Sequence, residues 1–178
     1  IVTSVDRRDT YKKRPLPLNT VAALKLLSTH LKLPAAKSMT LMESLYTKGL
    51  LSYPRTETDR YPKTFFMKSL ANKVNGSEFE DFYGPRPDGK NDDKAHPPIY
   101  PVRAAKDGDF DSKNGTMEKK VFNFLVNHFF AQLCKDATGV ETSIKVNILD
   151  EEFFLKGLKI TQKNHLKYFD KWQEIKSP

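Results

Sequence analysis

Cysteine is nearly absent from these 178 residues: Cys134 stands alone. One thiol excludes a disulfide framework and any cysteine-based zinc site within the chain, and a reducing intracellular compartment fits that usage. Long apolar runs are missing too. None approaches the ~20 residues of a membrane-spanning helix, and the opening Ile1-Val2-Thr3-Ser4-Val5 lacks the apolar core of a signal peptide. Because the chain begins in strand-like sequence without a methionine, it is expected to be a piece of something longer. Acidic charge is the scarcer sign, with 22 Asp plus Glu against 30 Lys plus Arg, a formal charge of +8. Each Lys or Arg placed on a phosphate releases a condensed counterion, so this balance favours a polyanionic partner. Composition alone does not carry that inference, since many basic domains bind no nucleic acid. The 38% hydrophobic and 29% charged content belongs to a folded chain, long enough for one domain with a core or a domain plus a small appendage.

Periodicity supplies the elements. Ile1 to Val5 is a β-branched run, and Asp6 to Arg14 reads as a polar, basic loop. Asn19-Thr20 are N-cap residues ahead of Val21, Leu24, Leu27 and Leu31 at helical spacing. Pro34 ends that segment, and a second helix is predicted over Ala35 to Lys48, with Met39, Met42 and Leu45 on one face and Gly49 at C′. Leu50 to Tyr53 is a strand stub or an extended turn, since Pro54 bars a helix start. Thr64 is the predicted cap of a third helix carrying Phe65, Met67, Leu70 and Val74, and the Gly-, Pro- and Asp-rich stretch 76–103 is predicted loop. Thr116 is the predicted cap of a long helix to about Cys134, whose Phe122, Phe124, Phe129 and Phe130 read as core rather than as a base-stacking platform. Past Gly139 the period becomes two: Ile144, Val146 and Ile148 alternate with Lys145 and Asn147, and Phe153 to Ile160 forms a further strand. The fold class is α+β, mainly helical: a helical body whose flanking β-segments belong to a sheet that the helices interrupt.

Three ordered motifs bear on function. Gly49 to Pro62 (GLLSYPRTETDRYP) resembles the active-site signature of type IA DNA topoisomerases in its topoisomerase III form. Asp92 to Ile99 (DDKAHPPI) resembles the histidine loop of that family, and Asp136 to Thr142 (DATGVET) its Asp-Ala-x-Gly-x-Glu-Thr run. The resemblance implies Tyr53 as nucleophile, Arg55 beside it, and a supporting or DNA-binding set of His96, Glu57, Thr56, Lys94 and Arg103. It implies no metal ligand in this chain. Mg²⁺ would be held in the parent enzyme by an acidic Toprim domain, whose motif does not occur here, so the fragment alone is expected to be inactive. It further implies that 20–134 form the helical domain III of the toroidal core. Residues 1–19 and 135–178 would then supply strand, linker and return strands of the β-rich arch. Single-stranded DNA is the implied partner, with RNA left open. A RecQ-type helicase and an OB-fold protein are allowed as partners of the parent, no membrane is involved, and an intracellular, nuclear location is implied, with a mitochondrial one as the alternative.

The chemistry accounts for the residue choices. Cutting a phosphodiester without losing its bond energy requires a covalent intermediate. A phenol, of ordinary pKa about 10, can attack phosphorus and later leave better than an aliphatic alcohol. A guanidinium two residues on matches the charge that builds on the phosphate, and an imidazole suits phosphate binding near neutral pH. Glu57 is assigned to orienting Arg55 or tuning local charge. The plainer alternatives are a structural tyrosine at a turn, an ion pair of Arg55 with Glu57 or Asp59, and a loop histidine satisfied by backbone. Arg60, Arg86, Lys90, Lys94 and Arg103 are DNA contacts or solvated loop charges. Functionally, the alternative is a non-catalytic single-stranded-DNA-binding module. Where the family commonly has His-Pro-Thr after the histidine loop, this chain has Tyr100-Pro101-Val102, which removes a hydrogen-bonding side chain.

Overall fold

A computed structural model describes residues 1–84 and 88–176, so Arg86 lies outside the described residues. Four helices follow a first strand: β1 (Val2–Lys12), α1 (Thr20–Leu31), α2 (Ala35–Thr47), α3 (Met67–Asn75) and α4 (Gly115–Leu133). Strands β2 (Ala137–Ile148) and β3 (Glu151–Gln162) then return to β1, giving one antiparallel sheet ordered β1-β2-β3. The architecture is α+β, as its periodicities indicate.

The helical body has two apolar clusters. Leu27 of α1, Leu41, Met42 and Leu45 of α2, and Val121, Phe122 and Leu125 of α4 meet Leu50, Leu51 and Ile99 from the loops. Further along α4, Phe129, Phe130 and Leu133 pack with Met67, Ala71 and Val74 of α3 and with Phe79. Phe122, Phe129 and Phe130 are buried, and so is Cys134, whose thiol burial pushes up to about 12. Such a thiol is an inert packing group. Tyr61, also buried, donates its hydroxyl to Gln132, whose amide meets the His128 ring on the next turn.

Helix starts follow local chemistry. Asn19 caps α1 by accepting from the Ala22 N–H at 2.9 Å. Helix α2 closes as the pattern indicates: Gly49 adopts φ +69°, its N–H bonds the Tyr46 carbonyl, and the Leu50 N–H reaches back to Leu45. Two predicted caps are corrected. Thr64 does not cap α3, because the Phe65 N–H bonds the Pro62 carbonyl in a turn that delays the helix to Met67. Thr116 lies one residue inside α4, which begins at Gly115, where a Cβ would sit 1.6 Å from the Phe110 carbonyl oxygen. Only a glycine allows that approach.

Strand β1 is longer than its apolar run. The stretch read as a loop continues as strand to Lys12, with Asp6 opposite Ser143, Arg8 opposite Glu141 and Lys12 opposite Ala137. An edge strand exposed on both faces carries no alternating apolar signal, and charged side chains suit such an edge. Arg8 pairs with Glu141 at 2.7 Å across the ladder. Beyond Gln162 a short 3₁₀ helix (Asn164–Lys167) follows, and among the described residues there only Ile175 forms a β-bridge back to Leu158. Gly139 of the DATGVET run faces the neighbouring strand so closely that a Cβ would fall 2.8 Å from the Lys159 carbonyl oxygen.

Phe129 belongs to the second cluster and is 1% exposed. Phe129→Ala is expected to lower the unfolding free energy by about 3–5 kcal/mol, read by urea titration. A loss under about 1 kcal/mol would show that the site collapses without a cavity.

Candidate active site

The signature segment runs between two fixed supports. On one side Leu50, Leu51 and Ser52 lie along the segment 98–102. Val102 donates its N–H to the Leu50 carbonyl, Ser52 donates its N–H to the Tyr100 carbonyl, and Leu51 bridges Pro101. The Ser52 hydroxyl completes this ladder, accepting from the Tyr100 N–H at 2.9 Å and donating to the Pro98 carbonyl at 3.1 Å. Val102, the departure from the family pattern, thus acts here through its backbone.

On the other side stands Thr20, the first residue of α1. Its hydroxyl accepts from the Thr56 N–H at 2.8 Å and donates toward the Pro54 carbonyl at 2.7 Å, while its own N–H bonds the Thr56 carbonyl. The backbone on both sides of Arg55 is therefore tied to a helix end. Thr56 is buried and structural: its hydroxyl donates to Asp93 and accepts from the Thr58 N–H.

Asp93 ties the histidine loop to the signature. Its carboxylate accepts from the N–H groups of Ala95 (2.9 Å), His96 (2.8 Å) and Glu57 (3.3 Å) and from the Thr56 hydroxyl (3.2 Å). The His96 and Ala95 amides, with the other donors, hold this carboxyl well below the usual range despite some desolvation. The loop that results places the His96 ring 4.9 Å from the half-buried Tyr53 ring, and Tyr46 of α2 meets that ring edge-on at 5.4 Å.

The remaining predicted residues separate. Arg55 is exposed, and its Nε and Nη2 both donate to Glu43 Oε1, at 2.8 and 2.6 Å. The assignment of Glu57 to orienting Arg55 is corrected on that ground: Glu43 holds the guanidinium, and Glu57 points to solvent with its N–H on Asp93. Asp59 does not pair with Arg55 either, since its carboxylate takes the Asn91 backbone and side chain. Lys94 is exposed at φ +58°, beside His96 on a 290 Å³ cleft that Arg60 also lines. Arg103 lies apart, its guanidinium spent on Asp109 and the Lys48 and Ala104 carbonyls. Asp109 is in turn held down to about 2, chiefly by Arg103. Lys90, Arg55 and the start of α1 border an open groove of 980 Å³. Among the described residues no group of three or more His, Cys, Asp or Glu could hold a metal ion, and no helix is long and apolar enough to cross a membrane.

Sequence reasoning missed Glu43, Tyr46 and Thr20. For the first two a signal existed, since Glu43 and Tyr46 stand three apart on α2, off the face that buries Leu41, Met42 and Leu45. Thr20 reads in the sequence only as a capping residue.

The family model described as DNA topoisomerase matches residues 1–178. The chain is 40% identical over 182 residues to DNA topoisomerase 3-alpha of Drosophila melanogaster, 97% of this chain and 14% of that protein. It is 35% identical to DNA topoisomerase 3 of Schizosaccharomyces pombe, over 97% of this chain and 29% of that one. Human DNA topoisomerase 3-alpha is 33% identical over 97% of the chain and 18% of its own length. The chain thus spans under a third of each of these relatives. In fold it is similar to full-length topoisomerase I of Thermotoga maritima, with a TM-score of 0.74 at 18% identity, covering 99% of this chain and 30% of that one.

A carboxyl lowered in the folded state stabilises it above the ordinary Asp value of 3.8, and that contribution is lost as pH falls through the folded value. Nuclear Overhauser contacts between the Tyr53 and His96 rings should therefore persist at neutral pH and fade only below about pH 4. Asp93→Asn, which loses acceptor capacity, should weaken them at every pH. Full contacts in that variant would show that the carboxylate does not shape the loop.

Proposed function

The chain belongs to the DNA topoisomerase family, in its type IA topoisomerase III branch, and from that premise we propose that Tyr53 is the nucleophile of a transient single-strand break. The Tyr53 hydroxyl attacks a phosphorus of single-stranded DNA and gives up its proton. The Tyr–O–P bond forms as the P–O3′ bond breaks, and the departing O3′ takes a proton. The product is a 5′-phosphotyrosine and a free 3′-hydroxyl. Resealing is the reverse, with the 3′-oxygen attacking and the phenolate leaving, so the bond energy is conserved while another strand passes.

The observation that carries this reading is the packing of the Tyr53 ring on His96, which brings two motifs far apart in sequence to one place. Arg55 offers a guanidinium to the phosphate as negative charge builds, and His96 binds the same phosphate or its neighbour. Lys94 lines the path of the strand. Arg103, committed to Asp109, supports the fold behind α2. Glu57 contributes charge at the groove.

We assign 20–134 to the helical domain III of the family's toroidal core, and 1–19 and 135–178 to its arch. The partner is single-stranded DNA, with RNA open by the same backbone chemistry. A RecQ-type helicase and an OB-fold protein are proposed for the parent enzyme by family likeness alone, as is a nuclear location. Magnesium, which the resemblance gives to a Toprim domain, would supply Lewis-acid help at the phosphate. The described residues of this chain offer it no three-ligand cluster.

Covalent trapping tests the proposal. The parent protein is mixed with Mg²⁺ and an oligonucleotide labelled at its 3′ end, then stopped with denaturant. Label should migrate with the wild-type protein and vanish in Tyr53→Phe. Retention of a 5′ label instead would reverse the linkage and overturn the reading, and retention of neither with binding intact would favour a DNA-binding module. Arg55→Ala is expected to slow adduct formation about a hundredfold, near 3 kcal/mol.

A further inference from the structure

Taking that reading as given, we infer that Glu43 is a positioning residue for Arg55: it fixes the plane of the guanidinium so that the opposite edge faces the scissile phosphate. Thr20 fastens the backbone at Pro54 and Thr56 but leaves the long Arg55 side chain free to rotate. Glu43 is the acceptor the structure records for that side chain. A single oxygen, Oε1, takes Nε–H and one Nη2–H, at 2.8 and 2.6 Å. A guanidinium has five N–H donors in a rigid fork, so the remaining three, both Nη1 protons and one Nη2 proton, stay free for a phosphate.

The pair is ill-suited to stabilising the fold. Its partners are 57% and 43% exposed, and ion pairs so exposed contribute little to stability. Helix α2 is held by its other face, where Ser38, Leu41, Met42 and Leu45 are buried. A carboxylate beside the binding site of a polyanion is costly unless its charge is matched, and Arg55 matches it. The same exposed side of α2 carries Tyr46 against the Tyr53 ring. One rigid helix thereby addresses the nucleophile through Tyr46 and its neighbouring cation through Glu43.

The test is single-turnover formation of the covalent adduct by the full-length enzyme, in a double-mutant cycle over Glu43 and Arg55. Glu43→Ala should slow the step by about tenfold, as loss of an orienting partner does elsewhere, with the dissociation constant for the oligonucleotide changed less than the rate. Glu43→Gln, which keeps an acceptor oxygen, should recover most of that loss. In an Arg55→Ala background Glu43→Ala should cost nothing, because its effect runs through the guanidinium. Equal losses in both backgrounds would make Glu43 a structural residue and overturn the inference, as would an unchanged rate in Glu43→Ala. If the wild-type enzyme forms no adduct, or Tyr53→Phe forms as much, the nucleophile assignment falls first and takes this inference with it.

Discussion

The site depends on one hydroxyl. Thr20 begins α1, and its side chain both accepts from the Thr56 amide and donates to the Pro54 carbonyl. A helix terminus leaves N–H groups without intrahelical partners, and here Asn19 and Thr20 divide that end between them. Asn19 satisfies the helix itself through the Ala22 N–H, while the Thr20 N–H leaves the helix for the Thr56 carbonyl. A turn that would otherwise be a solvated loop thus becomes an extension of α1. Pro54 stiffens it further by fixing its own φ. The direction in which Arg55 leaves the chain is set from that anchor.

Around the anchor, negative charge is used as scaffold. Asp93, Asp59 and Glu43 all lie close to where a polyanion would bind, and each carboxylate is engaged by donors of the protein. Asp93 takes four donors from the loop it shapes, Asp59 takes Asn91, and Glu43 takes Arg55. A carboxylate saturated with amide donors organises backbone at little electrostatic cost, because local N–H dipoles already match its charge. The donors left over are cationic: the free edge of Arg55, Lys90 and Lys94.

The fold was legible wherever burial imposed a period. The spacing of Leu24, Leu27 and Leu31, of Met42 and Leu45, and of Val121, Leu125 and Phe129 gave three helices within a residue or two. The alternation of Ile144 to Ile148 gave β2 only in its C-terminal half. Asp6 to Lys12 defeated periodicity because the β1 edge has two wet faces and its order comes from backbone pairing with β2. The helix starts after Thr64 and at Gly115 were misplaced because competing turns, closed by the carbonyls of Pro62 and Ser112, leave no mark on the apolar spacing. At the site, motif resemblance singled out Tyr53, Arg55 and His96, and the structure puts Tyr53 and His96 ring to ring. It could not assign Arg55 its partner. Glu57 is near in sequence and Glu43 near in space, and only the approach of α2 to the signature turn decides between them.

The joint between helical body and sheet is the last constraint. The chain enters the body past Arg14 and leaves it past Cys134, and these crossings are tied, since Arg14 donates to the Cys134 carbonyl and to the Asp136 carboxylate. The 3₁₀ segment then straps the joint. Asn164 holds the Asp136 carbonyl, Lys167 and Tyr168 hold Asp81, and Phe169 packs against His30, Phe124 and His128. Exposed ion pairs such as Lys12–Asp170 add little to this; the aromatic contacts carry it, since each buries large area in fixed geometry. Bending at residues 134–136 would have to expose Phe169 together with Tyr168. The local cost of bending is lower elsewhere, along β1 and the outer half of β2 and β3, where Val5, Phe154 and Ile148 are already exposed and bending uncovers little new apolar surface. On the function proposed for Tyr53, stiffness at the joint and compliance along the sheet would let that residue move as one body with α1, α2 and α4.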